Sequence, residues 1–161
     1  IIYDYGEERF APRIASAIVR ARADKPIETT KELSDIIKGA IPAASRIDGP
    51  HPAKRTFQAI RIEVNAELDA ITPVIKAASS NLKPSGRIAI ISFHSLEDRI
   101  VKQTFKDLDT DCVCDKRFPI CVCGKKREIK LITKKPIEAS ELELMENSRS
   151  RSAKLRIIEK I

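Results

Sequence analysis

A chain of 161 residues is long enough for one ordinary domain or for parts of two. Its 42% hydrophobic and 33% charged content excludes a disordered tract, and no apolar run approaches the roughly 20 residues a membrane helix needs. A net charge of +7 favours polyanionic partners, while 4% aromatics and no Trp leave few stacking platforms for bases, so arginine planes would carry much of any base contact.

No basic-then-apolar leader is present, and the first residue is Ile1, not Met. A cytoplasmic protein is expected, with this chain beginning inside a longer one.

The first pattern is EERFAPRIASAIVRAR, residues 7 to 22, where Phe10, Ile14 and Ile18 recur at helical spacing. Pro12 suits the first turn of that helix. Thr29-x-x-Glu32 then forms a capping box, Leu33, Ile36, Ile37 and Ala40 form a buried face, and Pro42 ends the helix. The stretch AASRIDGPHP (43 to 52) reads as a loop and a domain boundary.

From Lys54 to about Leu82 the apolar stripe Phe57, Ile60, Val64, Leu68, Ile71 and Ile75 predicts one long helix, kinked or split at Pro73. After the KPSG turn, RIAIISF (87 to 93) is apolar almost throughout, as expected of a strand buried on both faces of a parallel sheet. Ser95-x-x-Asp98 resembles a capping motif for a helix to about Leu108. EIKLIT (128 to 133) alternates as a strand does, and Ser140-x-x-Glu143 can cap a short helix. SAKLRIIEK (152 to 160) reads as a final strand with Ala153, Leu155 and Ile157 on one face. The order of elements argues for α/β packing.

Several stretches could carry chemistry. The glycines Gly6, Gly39, Gly49, Gly86 and Gly124 are all isolated, so no G-x-G loop lets backbone approach a nucleotide, and no Asn/Asp-Pro-Pro run occurs to hold a reacting amine. His94 and Ser95 stand at the carboxyl end of a predicted strand, where α/β sheets bind ligands. They either line a pocket or only satisfy the chain ends there. Gln58, Arg61 and Asn65 flank the apolar stripe and would meet a ligand, an interface or solvent. SRSRSAKLR (148 to 156) carries Arg149, Arg151, Lys154 and Arg156, a basic run suited to phosphate or simply solvated. Cys112, Cys114, Cys121 and Cys123 form C-x-C-x6-C-x-C. Four thiolates could hold zinc, although C-x-C is tighter than the usual ligand spacing; free thiols and disulfides remain open alternatives.

YGEERFA, HPAKRTFQAIRIEVNAEL, GRIAIISFHSLEDRIVK, TKKPI and NSRSRSAKLR follow in an order and spacing similar to bacterial S-adenosylmethionine-dependent small-subunit ribosomal RNA cytosine-N4 methyltransferases. The resemblance covers all but the loop at 109 to 126. It departs from the family pattern at Pro12, where Arg is common, and at Ser148, where Pro is. It implies an α/β fold in two parts: a partial helical insert (residues 1 to 50) for RNA recognition, then the C-terminal part of a Rossmann-like methyltransferase sheet (51 to 161). That second part would hold the fifth strand and last two strands, with the first four strands absent.

By the same resemblance, S-adenosylmethionine serves the full-length enzyme and is not expected to bind this fragment, whose cofactor loop and active-site motif lie outside it. The target amine would attack the sulfonium methyl in line once the base leaves its stack. His94 and Ser95 are then expected in the pocket wall, with Arg55, Gln58, Arg61, Arg149 and Arg151 as RNA-contact candidates. Expected partners are small-subunit ribosomal RNA or the ribosomal subunit, the N-terminal half of the same protein and, as an open alternative, a second copy in a homodimer; no membrane is expected. The competing expectation is a non-enzymatic, zinc-stabilised RNA-binding module.

Overall fold

A computed structural model describes residues 1–46, 51–115, 117 and 120–161. The chain forms two compact units, Ile1–Glu67 and Leu68–Ile161. No helix among the described residues is long and apolar enough to cross a membrane.

The first unit is helical. A short helix α1 (Ile2–Gly6), not expected from the sequence, precedes α2 (Ala11–Asp24), α3 (Thr30–Ala40) and α4 (Lys54–Asn65). Pro12 lies in the first turn of α2, and Thr29 with Glu32 closes the expected capping box on α3. Ile14, Ile37, Ile41 and Ala53 form the core, with Phe10, Ile18 and Leu33 packed against it. Gly6 lets α1 approach α4 closely: a Cβ there would stand 2.9 Å from the Arg55 carbonyl oxygen. Part of the expected 43 to 52 loop, residues 47 to 50, lies outside the described residues.

The predicted long helix is two. Ala66 takes the left-handed conformation (φ 49°, ψ 40°) and ends α4, and α5 runs Ile71–Asn81. Pro73 stands in the first turn of α5, where its missing N–H costs nothing, so the break falls ahead of it. The stripe holds only in part: Ile75 is buried and Phe57 and Ile71 pack against the cores, but Val64 is 77% exposed, and α4 buries Thr56, Ala59 and Ile62. Because α4 packs on α1, the compact units divide at 67/68, later than the boundary at 50 read from the loop.

The second unit sets α5 and α6 (Ser95–Leu108) with a small sheet. β1 (Arg87–Ser92) pairs with β4 (Lys154–Lys160), which also pairs with β2 (Ile129–Leu131) and β3 (Ile137–Glu138). The order is β1-β4-β2, so the last strand inserts between two earlier ones. All three pairings are antiparallel, which corrects the expected parallel sheet. Burial on both faces is corrected too. Ile88 and Ile90 pack on the core of Ile75, Val101, Phe105, Leu108, Ile129 and Ile158, while Ile91 and Phe93 on the opposite side are 58% and 57% exposed. On β4 the fully inward residues are Arg156 and Ile158, with Leu155 and Ile157 only half-buried. Ser140 caps the short helix α7 (Glu141–Glu146) as expected.

Candidate functional site at the end of the sheet

The junction between β1 and α6 is a reciprocal cap. His94 keeps extended backbone (φ −142°, ψ 164°), and its Nδ1 accepts a hydrogen bond from the Glu97 amide at 3.4 Å. The Glu97 carboxylate accepts in return from the amides of Phe93 (2.8 Å) and His94 (3.2 Å). The cap is therefore one residue earlier than the expected Ser95-to-Asp98 motif. An acceptor at Nδ1 places the imidazole proton on Nε2. That atom is buried, 3.2 Å from Glu97 Oε1, and has no aligned hydrogen bond among the described residues. Ser95 is exposed at the first helical position.

The register brings a second group to this place. Ser92 lies opposite Lys154, so the start of β4 and the end of β1 are the same end of the sheet. The residues leading into Lys154 form a 3-10 turn, Ser148–Ser152. Asn147 Oδ1 accepts from the Arg149 amide (3.2 Å), and the buried Ser150 donates its hydroxyl to the Asn147 carbonyl (2.7 Å). The turn is thus pinned from inside, while Arg149 and Arg151 face outward and make no ion pair among the described residues. β3, preceded by Lys134 and Lys135, pairs at the same end through Glu138 and Lys154. Sequence spacing separates His94 from Arg149 by about a third of the chain; the antiparallel return of β4 brings both to the same end of the sheet.

One member of the basic run has a different role. Arg156 is buried, and its Nε and Nη2 donate to the two carboxylate oxygens of Asp98 at 2.7 and 2.9 Å. Asp98, expected as a cap, anchors the first turn of α6 to β4 instead. The Arg156 hydrogen bonds hold its carboxyl below the usual range against the opposing effect of burial, aided by the charges of Arg156, Lys154 and Lys102.

The other predicted RNA-contact residues lie in the first unit. Arg61 is exposed and forms a two-pronged pair with Glu67 (2.9 and 3.0 Å). Arg55 donates to the Glu7 carbonyl (3.1 Å) and Gln58 to the Tyr5 carbonyl (3.4 Å), both tying α4 to α1 and its C-terminal cap. Arg55 also lines a cavity of about 280 Å³ with Arg9, His51, Glu8 and Ser45. Arg9 is a residue that sequence reasoning missed. Its guanidinium lies over the Phe10 ring at 4.6 Å and donates to Ser45 Oγ (3.1 Å).

The described glycines offer no cradle to a nucleoside cofactor. A Cβ on Gly6 or Gly86 would meet backbone at 2.9 Å, whereas Gly39 lies within α3 and Gly124 in the cysteine loop. In that loop the four cysteine sulfurs lie within 4.8 Å of one another. The amides of Val113 and Lys125 pull the Cys123 thiol down to about 6. At Cys112 the amide of Cys114 also lowers the pKa, but hydrogen bonds with the neighbouring thiols outweigh it and push the group up to about 12.

A basic, polar sheet end of this kind is suited to an anionic ligand. The chain belongs to the MraW methylase family, which matches it over residues 1–161. It is 64% identical over all its residues to the ribosomal RNA small subunit methyltransferase H of Clostridioides difficile (strain 630), covering 52% of that protein. The proteins of that name in Lachnospira eligens and Halothermothrix orenii are 57% and 56% identical, again over the whole chain and over 51% and 52% of their own lengths. The resemblance read from the five motifs is borne out, and the chain spans about half the length of these curated relatives.

Proposed function

We propose that this chain supplies the RNA-facing helical part and the C-terminal sheet edge of a cytoplasmic enzyme that transfers a methyl group from S-adenosylmethionine to the N4 amine of a cytosine in small-subunit ribosomal RNA. The observation that carries the reading is the placement of His94 and the outward-facing Arg149–Arg151 turn at the same end of the sheet, in a chain of this family. Arg149 and Arg151 hold backbone phosphates, which positions the polymer without reading its sequence. His94 and Ser95 form the wall beside the target base, and the cap from Glu97 keeps the imidazole in one orientation. Arg55 contributes from the helical unit, while Arg61, engaged by Glu67, is the weaker RNA candidate. The donor is held by residues of the complete protein outside this chain, so the chain alone binds none and is inactive. The non-enzymatic RNA module is not favoured, because the family match spans every residue.

The test uses the complete polypeptide, small ribosomal subunits and isotope-labelled methyl donor. The wild type is expected to place label on cytosine N4, and absence of label there overturns the activity. The double variant Arg149→Ala/Arg151→Ala should keep its melting midpoint, since both side chains are exposed and make no ion pair among the described residues. It should raise KM and reduce the salt slope of RNA binding by about 1.4 to 1.8, for two phosphate contacts at roughly 0.7 to 0.9 each. An unchanged slope removes the two arginines from the interface. Saturable, one-site donor binding by the isolated chain would overturn the placement of the donor site.

A further inference from the structure

The loop between α6 and β2 has no part in the function proposed above. Its base is firmly closed. The Glu128 amide donates to the Leu108 carbonyl (3.1 Å), and Arg127 grips Asp109 Oδ1 through Nε and Nη2 at 2.8 and 2.6 Å. Beyond that base no apolar core forms among the described residues: Val113, Ile120 and Val122 are 64%, 74% and 75% exposed. A segment without a core has little to offset the entropy of ordering it.

Yet the loop converges on one point. Cys112 Sγ lies 3.4 Å from Cys121 Sγ and 3.8 Å from Cys123 Sγ; Cys121 Sγ lies 3.5 Å from Cys123 Sγ and 3.9 Å from Cys114 Sγ. Four sulfurs around a tetrahedral zinc, at about 2.3 Å each, stand about 3.8 Å apart. A disulfide would bring a pair to about 2.05 Å, and all four cysteines are free. A two-iron cluster divides its ligands between two metals and does not suit sulfurs that are all within 4.8 Å of one another.

The tight C-x-C spacing also finds its reason. In an unwound arm, alternate residues share one side. Both sulfurs of each arm therefore turn inward while Val113 and Val122 turn out. Backbone amides point at the sulfurs as well: Cys114 N–H to Cys112 Sγ and Val122 N–H to Cys114 Sγ, each 3.4 Å. Such N–H···S bonds favour thiolate and form the outer shell that orients metal ligands.

We infer that Cys112, Cys114, Cys121 and Cys123 bind one zinc ion as a tetrathiolate that joins the two cysteine-bearing arms, 112–114 and 121–123. The ion supplies the order that this loop cannot draw from a core. Lys125 and Lys126, next to the second arm, offset the double negative charge of the filled site. The inference does not depend on the methyltransferase reading and stands or falls without it.

The test begins with elemental analysis of the complete polypeptide purified under reducing, chelator-free conditions. About one zinc per chain is expected. After its removal, cobalt(II) should titrate to one equivalent, show the ligand-field bands of a tetrahedral tetrathiolate, and be displaced by zinc. Hydrogen-exchange protection across 110 to 126 should fall with the metal, while α6 and β4 keep theirs. Cys121→Ser should weaken retention against a competing chelator by at least the roughly tenfold that loss of an outer-shell partner costs. The cobalt titration needs no variant, so misfolding of Cys121→Ser leaves the question decidable. Four thiols that alkylate freely in metal-free protein with no cobalt band would overturn the site. So would an isolated protein lighter by four hydrogens, the signature of two disulfides.

Discussion

Replacing Arg156 with Met separates two readings of the basic run. If Arg156 anchors α6 to β4, the substitution leaves Asp98 buried with no partner. Breaking a buried pair in this way costs about 3 to 5 kcal/mol. At about 2 to 4 °C per kcal/mol for a chain of this size, the melting midpoint should fall by roughly 6 to 20 °C. Asp98→Asn should fall comparably near neutral pH, because it strands the guanidinium instead. The pH dependence has a definite sign. The folded carboxyl titrates below its ordinary value, so its contribution is complete above the unfolded pKa of about 4 and is lost as pH falls through the folded one. The gap between wild type and Asp98→Asn should therefore narrow on acidification below about pH 4. Thermal unfolding by circular dichroism across pH, with RNA affinity measured in parallel, reads both quantities. An Arg156→Met variant with an unchanged midpoint and weakened RNA binding would refute the anchor and return Arg156 to the phosphate-facing set.

Two packing predictions concern the helical unit. Gly6→Ala forces a Cβ to 2.9 Å from the Arg55 carbonyl oxygen, so it should destabilise by about 1 to 3 kcal/mol, measured by denaturant unfolding; a neutral result would mean that α1 does not seat on α4. Thr56 is fully buried, and its hydroxyl has no hydrogen-bond partner among the described residues. Thr56→Val should raise stability by about 1 kcal/mol or more through removal of an unsatisfied polar group, and a loss of stability would point to a partner for that hydroxyl.

The sequence was most legible where the signal is local. The Thr29–Glu32 capping box, the Pro12 helix start, the Ser140 cap and the final strand depend on residues within a turn of each other, and each forms where its pattern stands. The break at Ala66 carries no such mark, since neither Gly nor Pro stands there, and a helical stripe can be drawn straight through it. The cap at His94 is not legible in the sequence, because a histidine is an uncommon acceptor and the neighbouring Ser95 a common one. At the candidate site, each basic residue was visible but its engagement was not. Arg61 meets Glu67 six positions away, while Arg156 meets Asp98 across 58 positions, and only the fold reports the second.

The misreading of β1 follows from what strand composition records. Ile88, Ala89, Ile90 and Ile91 are apolar in succession, which predicts a layer against each face. The described residues cover one face, through α5 and α6, and leave Ile91, Phe93 and Ile137 more than half exposed on the other. Alternation would have been the economical pattern for a sheet with one wet face. A strand with two apolar faces has the composition suited to a second layer. If the complete protein supplies that layer, Ile91→Asp should impair the complete protein far more than the isolated chain, where the side chain already meets water. Equal effects in the two would show that the exposed face is simply a tolerated apolar surface.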